Sequence, residues 1–147
     1  MASASARLRT PICDLFGIEV PIIQTGMGWV AGARLTAATS EAGGLGVLAA
    51  ATMTLEMLEA QIQEVKSRMQ KPFGVNLLGD AADIDARVEL LIREGIRVVS
   101  FAGVPSKEAM KRLKDANILT MPKVGAKRHA EKMLSWGADV IIAQGGE

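Results

Sequence analysis

The chain has 147 residues, 17 Lys and Arg against 16 Asp and Glu, 49% hydrophobic residues and 3% aromatic ones. That length predicts one domain, and half-apolar content with balanced charge excludes a disordered tail. One cysteine (Cys13) and one histidine (His129) exclude a disulfide scaffold and a four-ligand zinc site, and a net charge of +1 without any Tyr lacks the basic face and stacking platforms of a nucleic-acid binder.

Residues 1–10 are basic and rich in Ser and Ala, but too short and too polar for a signal segment. No apolar run reaches the roughly 18 residues of a membrane span. A cytoplasmic protein with a frayed N-terminus is expected. Short apolar runs follow at 21–24, 45–49, 73–77, 98–101, 118–121 and 140–144. They lack polar alternation, as do strands buried on both faces. Between them lie helix patterns. Leu55, Leu58, Ile62 and Val65 form an apolar stripe behind Thr54, an N-cap candidate. Similar stripes run through Val88, Leu91 and Ile92, through Ala109, Met110 and Leu113, and through Ala130, Met133 and Leu134. Gly43, Gly95 and Gly137 are predicted to stop three helices in the left-handed conformation.

The βαβα alternation belongs to the α/β class and fits either an open doubly wound sheet or a closed barrel. Gly26-Met27-Gly28-Trp29-Val30-Ala31 fits the dinucleotide fingerprint, but the second strand runs into 49–53 with no carboxylate for a ribose. The expected fold is therefore a (β/α)8 TIM barrel, incomplete here with about six βα units of the usual eight. Residues 1–147 are expected to form the N-terminal part of one such domain, cut within the loop after strand 6.

Four segments carry a family resemblance: Pro21-Ile22-Ile23-Gln24-Thr25-Gly26-Met27-Gly28, Ala42-Gly43-Gly44-Leu45-Gly46-Val47-Leu48, Pro72-Phe73-Gly74-Val75-Asn76, and 138–147 ending in Ala143-Gln144-Gly145-Gly146-Glu147. In that order they resemble the nitronate monooxygenase (2-nitropropane dioxygenase) family of FMN-dependent barrel oxidoreductases. Flavin-dependent enoyl-ACP reductases are similar. The resemblance implies an FMN cofactor, a small-molecule substrate, and flavin contacts from Gln24, Thr25, Gly26, Met27, Asn76, Lys123, Gln144 and Gly145. It also implies a catalytic His about four residues beyond Glu147, so no residue of this chain is assigned as catalytic, and none as a metal ligand. Glu147 is expected to orient the loop.

Other readings stand beside these. Gly26-Met27-Gly28 also suits a tight turn with Met27 as filler, Asn76 could cap its own turn, Lys123 could be a solvated loop lysine, and 144–147 could be a glycine-rich tail. His129 is expected to face solvent, and Cys13 to be a small packed residue. The charges from Lys107 to Asp115 read as an exposed helix face. The expected activity is oxidation of a nitronate or related carbanion-like substrate by oxygen. The alternative is a flavin-dependent reductase or dehydrogenase of an acyl-CoA, acyl-ACP or steroid-ring catabolite. A reading of another class is a non-catalytic fragment whose unpaired strand edges assemble with a missing segment or with itself as a homo-oligomer.

Overall fold

The computed structural model describes residues 8–145. Residues 1–7, Gly146 and Glu147 lie outside them, and with them part of the N-terminal expectation and the Glu147 role. The chain divides into two compact units, Met1–Gly74 and Val75–Glu147.

The first unit runs α1 (Pro11–Phe16), β1 (Ile23–Gln24), α2 (Ala33–Glu41), β2 (Leu45–Ala49), a 3-10 turn (Ala50–Thr52) and α3 (Leu55–Arg68). β1 and β2 pair in parallel, Ile23 opposite Leu45 and Gln24 opposite Gly46. Thr54 caps α3 as its position predicts, its hydroxyl accepting from Met57 N at 3.2 Å. The predicted stripe buries Leu58, Ile62 and Val65 completely. Gly46 lets α2 rest on β2: a Cβ there would lie 2.1 Å from the Thr36 carbonyl oxygen. Ser40 closes the same corner, accepting from Gly46 N (3.1 Å) and donating to Pro72 O (2.8 Å). α2 has no cap of its own at Gly32. Instead the Gln61 side chain of α3 accepts from Ala33 N at 2.8 Å. Cys13 is fully buried, as expected of a packed residue.

The second unit takes over within β3 (Phe73–Leu78) and continues through α4 (Ile84–Arg93), β4 (Val98–Ala102), α5 (Lys107–Asp115), β5 (Leu119–Val124), α6 (Lys127–Ser135) and β6 (Ile142–Ala143). Its strands lie in the order β3-β4-β5-β6, with β4–β5 and β5–β6 parallel. Val88, Leu91, Ala109, Met110 and Leu113 are buried as their spacing requires. Leu134 departs from its expected stripe and is 54% exposed, leaving Met133 as the buried anchor of α6. Asp139 fastens the turn before β6 to β5, accepting from Thr120 N at 2.8 Å. Strand β5 extends three residues past its expected end, because Pro122 stays in register opposite Phe101 despite lacking an N–H. β1 and β6 are shorter than expected.

Helix-to-strand turns in both units share one stop. Gly43, Gly95 and Gly137 have φ of 93°, 62° and 91°, as predicted, and Asn117 does the same work at 57°. In each case the next residue's N–H returns to the carbonyl five residues back, Gly44 to Thr39, Ile96 to Leu91, Ala138 to Met133 and Ile118 to Leu113. These are Schellman closures.

Candidate functional site

Within the first unit the candidate residues gather after β1. Gln24, the last residue of that strand, donates its Nε2 to Val47 O at 3.1 Å and to the carbonyl of Thr25. Its Oε1 is buried without a hydrogen-bond partner. An unsatisfied buried acceptor costs roughly 1–3 kcal/mol, so such an atom calls for a donor. Thr25 is exposed, Gly26 half-buried and Met27 39% exposed. The turn is held by Val30 N and Ala31 N, both donating to Met27 O, and by Ala49 N donating to Ala31 O at 3.0 Å. At its tip Trp29 is 88% exposed with φ 66°. Beside it opens a cavity of about 310 Å3, with Val30, Met53, Met57 and Ala60 in its walls.

The second unit holds the other candidates. Asn76 sits inside β3, half-buried, and donates its Nδ2 to Ser100 Oγ of β4 at 2.9 Å. Ser100 lies opposite Met121, and strand alternation puts Lys123 on the face of Met121. Lys123 in turn lies opposite Ile142, whose alternation partner is Gln144. Gln144 N donates to Val124 O at 3.0 Å, which carries the pairing one residue beyond β6. The loops at these strand ends approach closely. A Cβ on Gly79 would stand 2.6 Å from the Val104 backbone, so only glycine fits.

Lys123, Gln144 and Gly145 line one cavity of about 490 Å3, within the range of roughly 300–1,000 Å3 typical of small-molecule sites. Val104, Pro105, Val124 and Met133 give it apolar walls. His129 and Lys132, one turn apart on α6, line it too, and among the described residues no carboxylate does. Arg128 Nε donates to His129 Nε2 at 3.3 Å. Lys132 Nζ stands 4.6 Å from the centre of the Trp136 ring. His129 is exposed as expected, but it borders this cavity rather than open solvent alone. Groups of perturbed acidity lie elsewhere and are structural. A hydrogen bond from Arg87 holds the Asp83 carboxyl below its ordinary range, and one from Lys71 does the same for Glu19.

Sequence reasoning missed two contributors. Ser100 is the single polar residue of the run 98–101, and that was its signal. Lys132 follows His129 by three residues, the spacing of one helix face. Among the described residues no group of three or more metal-ligating side chains occurs, and no helix is long and apolar enough to cross a membrane.

Comparison with known proteins agrees with this geometry. Solved structures of FabK from Thermotoga maritima (TM-score 0.89, 36% identity, 92% of this chain and 43% of that chain) and of nitroalkane oxidase from Streptomyces ansochromogenes (TM-score 0.80, 30% identity, 92% and 48%) superpose on it. The fold is accordingly part of a (β/α)8 barrel. A carboxyl-CoA dehydrogenase of Mycobacterium tuberculosis, named for a 5-hydroxy-7a-methyl-1-oxo-octahydro-1H-indene-4-carboxyl-CoA, is 60% identical over 141 residues, 96% of this chain. Its namesake in Rhodococcus jostii is 54% identical over 95% of this chain. The chain spans 40% of the length of each. The family model for nitronate monooxygenase matches residues 9–147. With its motifs, strand order and barrel relatives in agreement, the chain belongs to the nitronate monooxygenase family.

Proposed function

We propose that the whole protein is an FMN-dependent oxidoreductase acting on a CoA thioester, with residues 1–147 the N-terminal part of its barrel domain. The observation that carries the cofactor is the orphaned Gln24 Oε1, a buried acceptor at the end of β1. A ring N–H of an isoalloxazine is a donor of the kind it lacks, and Gly26 permits close approach of backbone to a flat ring. The residues present therefore fit the group. In the first unit, Gln24 with the backbone of Thr25, Gly26 and Met27 holds the ring. The second unit by itself presents the Asn76 and Gln144 amides, the Gly145 backbone and the Lys123 ammonium.

FMN, when bound, supplies two-electron redox chemistry that no side chain possesses. The chain's own groups supply position and charge. Val47 O fixes the Gln24 amide, which leaves Oε1 as the group without a partner. Ser100 fixes the Asn76 amide. The exposed Lys123 ammonium lines the second unit's cavity and favours negative charge there.

The CoA thioester is supported by the 60% and 54% identities to carboxyl-CoA dehydrogenases. Nitronate oxidation, the second reading, is supported by the family model and by relatives such as the probable nitronate monooxygenase of Staphylococcus haemolyticus, 29% identical. Fold alone does not choose between them. Anaerobic mixing of the purified, flavin-loaded protein with each substrate class tests the choice. The hydroxy-indane carboxyl-CoA is expected to bleach the flavin absorbance and a nitronate to leave it; the opposite result overturns the reading.

A further inference from the structure

Resting on that CoA reading, we propose that the cation-lined cavity of the second unit binds the phosphate groups of the CoA substrate, with Lys132 as the anchoring charge and His129 as its hydrogen-bonding neighbour. The cavity of about 490 Å3 lies among the ends of β5 and β6, the loop after β4 and helix α6. Lys123, His129 and Lys132 line it, and among the described residues no carboxylate does.

Several basic residues elsewhere in the chain sit against carboxylates. Lys71 meets Glu19 at 2.7 Å, Lys111 meets Asp115 at 2.6 Å, and Arg68 meets Glu64 at 2.6 Å. Among the described residues, neither Lys123 nor Lys132 has a carboxylate partner. Lys132 instead lies over the Trp136 ring, which steadies the ammonium while leaving its charge available. Helix α6 adds to the field. Its first turn carries Lys127, Arg128 and His129, no acid, and no side-chain cap at Ala126. Cations at a helix N-terminus oppose the macrodipole, and a bound anion relieves that opposition.

The position distinguishes substrate phosphate from flavin phosphate. Barrel enzymes commonly hold a cofactor phosphate on the loops after strands seven and eight, whereas this cluster borders the ends of β4, β5 and β6. The apolar Val104 and Pro105 beside it suit the less polar parts of the same CoA arm.

Calorimetric titration of CoA into the 147-residue chain tests the proposal, with 3′-dephospho-CoA and FMN titrated in parallel. Lys132→Ala should weaken CoA about tenfold, as expected for loss of one charge-assisted phosphate contact, and Lys132→Glu should weaken it further. Lys132→Arg should restore binding, His129→Ala should lose a smaller factor, and affinity should fall with added salt. CoA binding unaltered by Lys132→Ala and Lys132→Glu overturns the proposal, as does absence of CoA binding by the unmodified chain. Displacement of CoA by FMN, with FMN affinity lost in Lys132→Glu, assigns the cations to the flavin phosphate and also overturns it. Lysine-dependent CoA binding that FMN does not displace upholds the proposal.

Discussion

Gln24 holds two hydrogen bonds through its amide nitrogen and none through its oxygen. That imbalance separates its role in the free chain from its role toward a ligand. Gln24→Leu removes the orphan acceptor together with a donor to Val47 O, so the free chain should keep its circular dichroism spectrum. Flavin titration should show affinity reduced five- to over a hundred-fold, the equivalent of about 1–3 kcal/mol. Asn76→Ala should act in the same direction. Ser100→Ala, which only releases Asn76, should cost less than Asn76→Ala; an equal or larger loss would make Ser100 the contact and Asn76 its support. Acid should act through Asp83. Its carboxyl is held low by Arg87, so the folded state takes up its proton less readily than the unfolded state does. The stabilisation is present above the unfolded pKa of about 4 and disappears as pH falls through the lower folded value. Urea midpoints measured from pH 6 down to pH 3 should fall less steeply in Asp83→Asn than in the parent. Gln24, Asn76 and Gln144 were legible because motif and strand end coincide there. The orphaned oxygen, the Ser100 partner and Lys132 were not, because a linear sequence does not say which residues of neighbouring strands and helices meet.

Elements of this chain are bounded by local chemistry, and the boundaries can be tested one at a time. Thr54→Ala removes the hydroxyl that caps α3 and should cost about 0.5–2 kcal/mol in urea unfolding. Gly46→Ala is of another order. Its Cβ meets the Thr36 backbone rather than a movable side chain, so α2 must lift from β2, and loss of the native fold at ambient temperature is the expected outcome. Gly95→Ala, with nothing within 4 Å of the added carbon, isolates the conformational cost of a left-handed residue, about 1 kcal/mol. Three helix ends were legible because glycine marks them. The fourth was hidden because asparagine reaches the same conformation less often. β5 was cut short because proline ordinarily stops a strand. Leu134 was counted with the apolar stripe because spacing alone cannot tell a helix face turned to the sheet from one at the end of the last turn.

Across the whole chain, the alternation of buried strands and amphipathic helices made the barrel class readable, since each unit repeats the same burial problem. Division into two compact units was not readable, because it depends on how contacts distribute over long sequence separations. Charge balance has a consequence at this scale. With a net charge of +1 and an isoelectric point near 7.9, mutual repulsion between copies is weak close to pH 8. Light scattering should therefore show greatest self-association near that pH, falling on either side. Association that is independent of pH would point to the strand edges instead.

The two tryptophans have a use beyond their packing. The chain has no tyrosine, and Trp29 belongs to the first unit while the half-buried Trp136 belongs to the second. Each unit thus carries its own intrinsic fluorophore, one fully hydrated and one beneath an ammonium group. Trp29→Phe leaves an emission that follows the Lys132 cavity alone, and Trp136→Phe leaves one that follows the β1 turn. Denaturation curves of the two variants would separate if the units melt independently and superpose if they melt together, without any extrinsic label.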